Sequence, residues 1–325
     1  MTNISILAWN DSGGVTKIHN IITNDTSIEW ITEYVSTKNI FWAVCKIFRI
    51  LTHRNASRVL VGNGREALIV WIFVFLTRKK IKVFYVQHTP LDQTPKYFRM
   101  FFKIVCRDFT VITISNELRK RLIKFLPAAL HNIKVIYNPV LETQLKEIHL
   151  QEIRGPINIL AIGRLTYQKN YKFMINLIKY LNSNGIEANL KILGHGEDHD
   201  LITKQIKELK LNQNVSLAGY CNNVTDHLNE TDFFIMTSHW EGLPTALIEA
   251  LNSSARIVAY KCPTGVEEIL TSQPATRTID KLDYDTFYQA IRELKQIEGH
   301  FTRDMTKFNR EYNLRQYEEL FDVHD

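Results

Sequence analysis

The chain has 325 residues, 45% of them hydrophobic and 23% charged, which is ordinary for a globular protein with a large core. Its four cysteines are scattered without a Cys-x-x-Cys pair, a pattern that argues against a zinc site and fits a reducing compartment. The first residues lack the basic region and the long apolar core of a secretory signal. At roughly 150 residues per domain, the length predicts two domains.

The net charge of +6 is unevenly shared between the two halves. Residues 1–150 contain 21 of the 40 Lys and Arg and 10 of the 34 Asp and Glu, which leaves 19 and 24 for the rest. A basic domain attracts nucleic acid, anionic lipid or phosphorylated substrates. Basic-aromatic helices suit a membrane interface, although a solvated helix face has the same pattern. The bases cluster in Arg78–Lys82, Lys96–Lys103 and Arg119–Lys124.

Apolar, β-branched runs of strand length alternate with segments of helix length along the whole chain. In the first half the predicted strands are Ile4–Ala8, Arg58–Val61, Lys82–Val86, Phe109–Ile114 and Ile133–Ile136. The predicted helices are Val15–Ile22, Ile40–Thr52, Glu66–Leu76, Tyr97–Cys106 and Glu117–Phe125. Little room remains between Ile22 and Ile40 for a further strand.

The second half continues the same alternation. Its predicted strands are Ile157–Ile162, Ala188–Leu193, Asn214–Leu217, Asp232–Met236, Arg256–Ala259 and Thr276–Ile279. Its predicted helices are Tyr171–Asn182, Asp200–Leu209, Pro244–Leu251 and Asp285–Gln296. Such alternation predicts parallel sheets with crossover helices. The two runs therefore predict an α/β protein with two doubly wound domains.

The charged segment Val140–Pro156 is the expected domain boundary, because it ends in a Gly-Pro pair. We assign residues 1–145 to a first Rossmann-like domain, 146–300 to a second, and 301–325 to a terminal helix that crosses back to the first. Ligands of open α/β sheets bind beyond the carboxyl ends of the strands. A cleft between two facing sheets is therefore the default site.

The longest apolar run is Ala67–Leu76, about half the ~20 residues that a membrane-spanning helix needs. A buried core helix is the favoured interpretation, and a helix that dips into a membrane surface is the alternative.

Two features of the first half lie at the ends of predicted strands. The paired glycines Gly13 and Gly14 let backbone N–H groups approach a phosphate without an intervening Cβ, although a simple tight turn explains them equally. His88 follows the strand Lys82–Val86, where its imidazole could bond a sugar hydroxyl or a phosphate. A structurally bonded histidine is the alternative.

In the second half, Gly163 permits a sharp turn directly after a strand. Arg164 and Lys169 place two cations at that strand end, where they could hold a pyrophosphate; an ordinary charged surface loop is the alternative. Gly194 follows the next strand in a Gly-x-Gly pattern, which alone is a weak signal.

Two carboxylates flank an apolar helix that follows the strand Asp232–Met236. Pro244 suits the first helical position, so Glu241 is expected in the loop before it. The N–H groups near Leu243 and Thr245 would then bind a diphosphate. Glu249, further along the helix, could accept hydrogen bonds from a ribose diol. A buried glutamate paired with a Lys or Arg is the alternative.

Taken together, these motifs resemble family 4 of the glycosyltransferases, which are retaining enzymes with the GT-B architecture. The resemblance covers residues 133–271 well and the first half only loosely. The motifs that carry it are Gly163-Arg164-Leu165 with Lys169, Gly194-x-Gly196, Glu241-x7-Glu249, Asn138–Val140 and Cys262–Leu270, and in the first half Gly13-Gly14, His88 and Ser115-Asn116.

The resemblance implies a donor site in the second domain. Arg164 and Lys169 would bind the donor diphosphate, and Glu249 would bind the nucleotide ribose. The remaining donor-binding residues would be Gly194, Leu243, Pro244 and Thr245.

It also implies contacts to the donor sugar. Glu241 would contact the sugar hydroxyls, His88 would contact the sugar near the reacting face, and these two form the expected catalytic pair. The amides of Gly13 and Gly14 would pack against the sugar phosphate. The sequence departs from the family pattern in its short first half and at Lys261, where many relatives have an acidic residue.

No Asp-x-Asp stands at a strand end, and the resemblance implies an enzyme without a metal or other cofactor, in which cations and a helix N-terminus stabilise the departing diphosphate. We expect a retaining glycosyltransferase that moves a hexose or N-acetylhexosamine from a nucleotide diphosphate sugar, a UDP-sugar, by front-face displacement. The acceptor would be lipid-linked or a saccharide in cell-surface polysaccharide synthesis. The basic, aromatic first domain favours a cytoplasmic protein in peripheral contact with anionic lipid on the inner face of the plasma membrane.

Three alternatives remain. A sugar-nucleotide epimerase of the same architecture would need a set of acid and base residues that the sequence does not identify. A glycogen-type phosphorylase would need pyridoxal phosphate and a much longer chain. A nucleic-acid-binding protein would use the basic clusters but would leave Glu241, Glu249 and the two sheets unexplained.

Overall fold

The computed structural model describes residues 2–7, 14–36, 39–90, 102–103, 106–126, 132–221 and 223–322. The chain divides into two compact units. The first contains residues 1–140 and 307–325, and the second contains residues 141–306.

A six-stranded parallel sheet forms the centre of the first unit. Its strands are β1 (Thr2–Leu7), β2 (Trp30–Tyr34), β3 (Ala56–Val61), β4 (Lys82–Gln87), β5 (Thr110–Thr113) and β6 (Ile133–Val135). They lie in the order β2-β1-β3-β4-β5-β6. The central strands β3 and β4 are almost entirely buried, as expected for a parallel sheet covered on both faces.

Two helices of this unit, Ile40–His53 and Asn116–Phe125, begin at side-chain caps. The Asn39 side chain accepts a hydrogen bond from the backbone N–H of Trp42 at 3.1 Å, and Ser115 accepts one from Leu118 at 3.1 Å. Such caps satisfy N–H groups that have no partner within the helix. The described helices of this unit are Gly14–Asp25, Ile40–His53, Gly64–Thr77, Asn116–Phe125 and Arg310–Asp322. The predicted helix Tyr97–Cys106 lies mostly outside the described residues.

The apolar run Ala67–Leu76 lies in the helix Gly64–Thr77. Val70 and Phe73 are buried in the hydrophobic core of the first unit, so the run serves as a core helix. Within the described ranges, no helix is both long and apolar enough to cross a bilayer.

The sequence-based expectation of little room for a strand between Ile22 and Ile40 is wrong. β2 lies there and pairs with β1 at the edge of the sheet. Its residues are half-buried and mix apolar with polar side chains, so the strand lacks the continuous apolar run that marks a buried strand.

The second unit contains a second six-stranded parallel sheet. Its strands are β8 (Ile157–Ile162), β9 (Ala188–Leu193), β10 (Val215–Gly219), β11 (Phe233–Met236), β12 (Arg256–Tyr260) and β13 (Thr276–Ile279). They lie in the order β10-β9-β8-β11-β12-β13. The described helices are Tyr171–Ser183, His199–Glu208, Val224–Asn229, Thr245–Leu251, Val266–Leu270 and Tyr284–Lys295. The predicted α/β class with two doubly wound units is thereby confirmed.

A two-stranded antiparallel ribbon of β7 (Leu145–Leu150) and β14 (Gly299–Asp304) completes the second unit. The sequence assigned residues 301–325 to a single helix, which is wrong for their first part. β14 and a short 3-10 turn precede the helix Arg310–Asp322. The alternating exposure of β14 leaves too few apolar positions to identify it as a strand from the sequence.

The C-terminal helix Arg310–Asp322 packs within the first unit. The ring of Phe321 lies 5.0 Å from that of Trp30 and 4.8 Å from that of Phe84. Arg310 forms an ion pair with Asp25 on the helix Gly14–Asp25. The last turns of the chain therefore help to cover the first sheet.

A buried arginine in β14 binds the end of the helix Thr245–Leu251. Arg303 donates to the carbonyls of Ser253 at 2.9 Å and Ala255 at 2.8 Å, and at longer range to the last helical carbonyls. Carbonyls at a helix C-terminus lack partners within the helix, so Arg303 satisfies them. Burial, helped by the nearby Arg256, lowers the pKa of Arg303 to about 10.

We expect Arg303→Met to lower the free energy of unfolding by about 3 kcal/mol or more, because several buried carbonyls lose their donor. Guanidinium denaturation measures the change. The matched control is Arg277→Met, since Arg277 is half-exposed and pairs with Glu293 at 3.5 Å; its effect should stay below about 0.5 kcal/mol. Equal effects of the two substitutions would contradict the role of Arg303.

Glu66 is fully buried in the first turn of the helix Gly64–Thr77. Burial raises its pKa from 4.5 to about 7, against smaller lowering effects of a backbone hydrogen bond and Arg65. Between these two values the folded chain holds a proton that the unfolded chain releases. The contribution of Glu66 to stability is therefore complete below about pH 4.5 and is lost as the pH rises through 7.

Glu66→Gln removes this ionisation while keeping the side-chain shape. Relative to the parent, the variant should gain roughly 3 kcal/mol of unfolding free energy between pH 4.5 and pH 9, a value that follows from the pKa difference. Urea denaturation at several pH values measures the difference. A difference that does not change with pH would contradict the raised pKa.

Candidate active site

The strand order of the second unit reverses between β8 and β11. From β8 the chain continues outward through β9 and β10, whereas β11, β12 and β13 lie on the other side. Open α/β sheets bind their ligands at such a switch point, beyond the carboxyl ends of the strands. Here the loops at this position are residues 163–170 and 237–244.

A buried ion pair joins these two loops. Lys169 Nζ lies 2.7 Å from Glu241 Oε1, and the side chains are 18% and 8% exposed. The side-chain amide of Gln168 donates to the Trp240 carbonyl at 2.8 Å and to Glu241 Oε2 at 3.4 Å. The backbone N–H of His239 donates to the Gln168 carbonyl at 2.8 Å. Side chains and backbone together fix the two loops to one another.

The loop after β12 also supports Glu241. The backbone N–H of Glu241 donates to the Pro263 carbonyl at 3.1 Å, and the Thr264 hydroxyl donates to the Glu241 carbonyl. A Cβ on Gly265 would lie 2.7 Å from the carbonyl oxygen of Gly242, so only glycine permits this packing. Three neighbouring loops thus position one carboxylate.

Glycines occupy two tightly packed positions in the loops after β8 and β9. A Cβ on Gly194 would lie 2.0 Å from the Gly163 carbonyl oxygen, and the φ angle of Gly194 is +147°. A Cβ on Gly163 would lie 2.6 Å from Lys169 Cε. The Gly-x-Gly pattern at Gly194 was weak evidence in the sequence, but the structure gives a clear steric reason for a glycine at this position.

The other predicted donor-site residues of this unit lie near Lys169 or Glu241 in the sequence. Arg164 is exposed and is the second residue after β8. Leu243 and Pro244 are buried. The helix begins at Thr245, one residue later than predicted, because Pro244 is extended with a ψ of 104°. Glu249 is half-buried within that helix.

An aromatic cluster at the same loops was not predicted from the sequence. The exposed ring of Tyr167 stacks on His239 with the centroids 4.6 Å apart, and the Trp240 ring lies 6.1 Å from Tyr167. Partial burial lowers the pKa of His239. Aromatic residues in two loops after neighbouring strands were the available signal.

In the first unit, His88 follows β4 and is buried. Burial lowers its pKa to about 4, and its Nε2 has no hydrogen-bond partner among the described residues. Gly14 opens the helix Gly14–Asp25, whereas Gly13 lies outside the described residues.

His19 is a second buried imidazole that sequence reasoning missed. Its ring centroid lies 5.6 Å from that of His88, and burial, with a smaller effect of His88, lowers its pKa. A Cβ on Gly62 would lie 2.6 Å from His19 Nε2. The available sequence signal was a single histidine on the apolar face of the helix Gly14–Asp25.

A family model described as "Glycosyl transferases group 1" matches residues 146–312. The chain belongs to this family. The amylovoran biosynthesis glycosyltransferase AmsD of Erwinia amylovora is 34% identical over 234 residues, which cover 69% of this chain and 65% of that protein.

The UDP-Gal:alpha-D-GlcNAc-diphosphoundecaprenol alpha-1,3-galactosyltransferase of Escherichia coli is 28% identical over 196 residues, 57% of this chain and 48% of that one. The chain thus spans less than two thirds of either relative. Among solved structures, HepE of Anabaena in complex with UDP-glucose gives a TM-score of 0.78 at 14% identity over 100% of both chains. This likeness confirms the GT-B fold of the group 1 chain.

Lys169→Met and Glu241→Gln should each lower the unfolding free energy by roughly 3 kcal/mol, because each leaves a buried group unpaired. The double variant should lose clearly less than the sum of the two. A double-mutant cycle measured by denaturation tests this expectation. The exposed pair Arg154–Glu152, whose closest atoms are 2.8 Å apart, is the control and should couple by less than about 0.5 kcal/mol. Additive losses at Lys169 and Glu241 would contradict the pairing.

Proposed function

We propose that this chain is a retaining glycosyltransferase of family 4 that transfers a hexose or N-acetylhexosamine from a UDP-sugar. The acceptor is a lipid-linked or saccharide intermediate of cell-surface polysaccharide synthesis. The observation that carries this proposal is the Lys169–Glu241 pair at the switch point of the second sheet, in a chain of the group 1 family.

The donor diphosphate is assigned to the two cations after β8. Arg164 is exposed at the strand end, and among the described residues it forms no ion pair. Lys169 lies five residues further on, with its ammonium group held at the same loops. A guanidinium and an ammonium group offer several donors to phosphate oxygens. They would stabilise the charge that develops on the departing nucleotide.

The pairing of Lys169 with Glu241 gives the site a way to respond to its substrate. A bound diphosphate would compete with Glu241 for the Lys169 ammonium, since both are anions that accept hydrogen bonds from an ammonium group. The Glu241 carboxylate would then be free to accept a hydrogen bond from a hydroxyl of the donor sugar. Glu241 therefore serves as an acceptor for the sugar rather than as an acid or base.

Backbone groups and Glu249 complete the donor site in this proposal. The first N–H groups of the helix that starts at Thr245 have no partner within the helix, and with Leu243 and Pro244 they face the phosphates. Glu249, the fifth residue of that helix, binds the ribose hydroxyls. For His88, Gly13 and Gly14 of the first unit, contact with the donor sugar and its phosphate stays a prediction.

The stereochemical proposal is a front-face displacement with retention. The acceptor hydroxyl bonds to the anomeric carbon as the bond to the diphosphate breaks, and its proton passes to the leaving phosphate oxygen. No protein nucleophile and no metal takes part in this scheme. The names of two relatives support the substrate classes: one is an amylovoran biosynthesis glycosyltransferase, and one is named for UDP-Gal and a diphosphoundecaprenol acceptor.

Calorimetry should detect UDP binding in buffer that contains EDTA, and Arg164→Ala should reduce sugar transfer by roughly 100-fold, as expected for the loss of one charge-stabilising donor. Arg154→Ala in the same unit, where Arg154 is exposed beside Glu152, is the matched control and should leave transfer unchanged. Nucleotide release is measured with several sugar nucleotides and a membrane lipid extract. No heat with UDP or any other nucleoside diphosphate would refute the donor site.

A further inference from the structure

Three consecutive large apolar side chains are exposed at the start of the helix Ile40–His53. Ile40 is 61%, Phe41 76% and Trp42 51% exposed. The helix is nonetheless firmly built into its unit, because Ala43, Ile47 and Leu51 are fully buried on its other face. A cluster of exposed apolar side chains on a rigid element is typical of an interaction surface.

A basic groove of about 550 Å³ adjoins these side chains. Trp42 lines it together with Lys46, Arg49 and His53, which follow Trp42 on one helix face at spacings of three and four residues. Its lining contains three permanent cations against one carboxylate. The residues are Glu33, Trp42, Cys45, Lys46, Arg49, Ile50, His53 and Arg54.

The cations of the groove are held in different ways. Lys46 lies over the Trp42 ring at 5.1 Å and donates to the Tyr34 carbonyl at 2.7 Å. Arg54 lies 3.5 Å from Glu33. Arg49 is exposed and has no such contact within the described part of the chain. Arg49 is thus the cation most available to an anionic partner.

We propose that this docking face, formed by Ile40, Phe41, Trp42, Lys46, Arg49 and Arg54, binds the surface of an anionic phospholipid membrane. The aromatic rings enter the interface between headgroups and acyl chains, where tryptophan and phenylalanine are favoured. The groove binds lipid phosphates through its bases. Two other occupants fit less well. The docking face of a second copy of the chain would repel this one because both are basic, and a nucleic acid would leave the apolar side chains exposed.

This face lies outside the basic clusters that the sequence suggested. In the helix Asn116–Phe125, the apolar residues Leu118 and Leu122 are buried while Lys120 and Lys124 are exposed. That pattern is typical of a core-packed helix with a solvated face, with Phe125 as its exposed aromatic residue. The docking face combines exposed aromatic side chains with bases on one helix, and it involves none of the residues assigned to the donor site.

The test is flotation of the full chain with vesicles of phosphatidylcholine, alone or mixed with phosphatidylglycerol, at low and at high salt. The parent should float with the anionic vesicles, and less so at high salt because the electrostatic part is screened. Arg49→Glu should weaken the partition by about tenfold. Phe41→Ser with Trp42→Ser should abolish the binding that remains at high salt.

Lys120→Glu is the matched control, because it reverses one exposed charge on the same unit outside the docking face. It should change the partition by less than about twofold, since the attraction of each base depends on its distance from the surface. Circular dichroism and UDP calorimetry on every variant separate loss of the fold or of the donor site from loss of docking.

Three outcomes would overturn the proposal. One is equal weakening by Arg49→Glu and Lys120→Glu, which would indicate attraction by overall charge alone. Another is release of the parent chain from the vesicles when a single-stranded RNA oligonucleotide is added. The third is a parent chain that does not float with the vesicles but sediments as a dimer, if the double variant Phe41→Ser and Trp42→Ser sediments as a monomer.

Discussion

The candidate site depends on the ion pair between Lys169 and Glu241. Burying two charges costs several kcal/mol of desolvation, which their attraction offsets only when the geometry is good and the remaining lone pairs are bonded. Gln168 and the backbone around Glu241 supply those bonds. An apolar pair of similar size would commonly be as stable. The presence of two charges at the switch point is therefore better explained by a role in binding or chemistry than by a contribution to stability.

Backbone packing makes the loops around this pair rigid. Gly194 contacts the Gly163 carbonyl, and Gly265 contacts the Gly242 carbonyl, at distances that admit no side chain. Behind them, Arg303 holds the carbonyl end of the helix Thr245–Leu251. The backbones of these loops and of the helix Thr245–Leu251 are thus held in place by packing, which lowers the entropy cost of ordering them when a ligand binds.

The sequence predicted the buried strands well because burial on both faces produces a continuous apolar run. Three strands of the second sheet, Ile157–Ile162, Ala188–Leu193 and Thr276–Ile279, have the predicted bounds. β2, β7 and β14 were missed because half-exposed strands mix apolar and polar residues. Their pairing partners, distant in the chain, decide their structure, and no local pattern records such partners.

The same distinction applies to the candidate site. Residue types and spacing indicated that Arg164, Lys169 and Glu241 belong together, but not that Lys169 and Glu241 bind each other across 72 positions of the chain. His19 was hidden for a related reason. It occupies one position of a buried helix face, and only the fold brings it beside His88.

The structure also changes the balance among the groups proposed to hold the diphosphate. From the sequence, Arg164, Lys169 and a helix N-terminus together were expected to take the place of a metal ion. That helix has seven residues, Thr245–Leu251, and a helix dipole amounts to about half a charge at each end and is weaker in short helices. Two full cations lie after β8, one of them at a buried position. The charge on a departing diphosphate would therefore be met mainly by Arg164 and Lys169, with the helix N–H groups fixing its orientation.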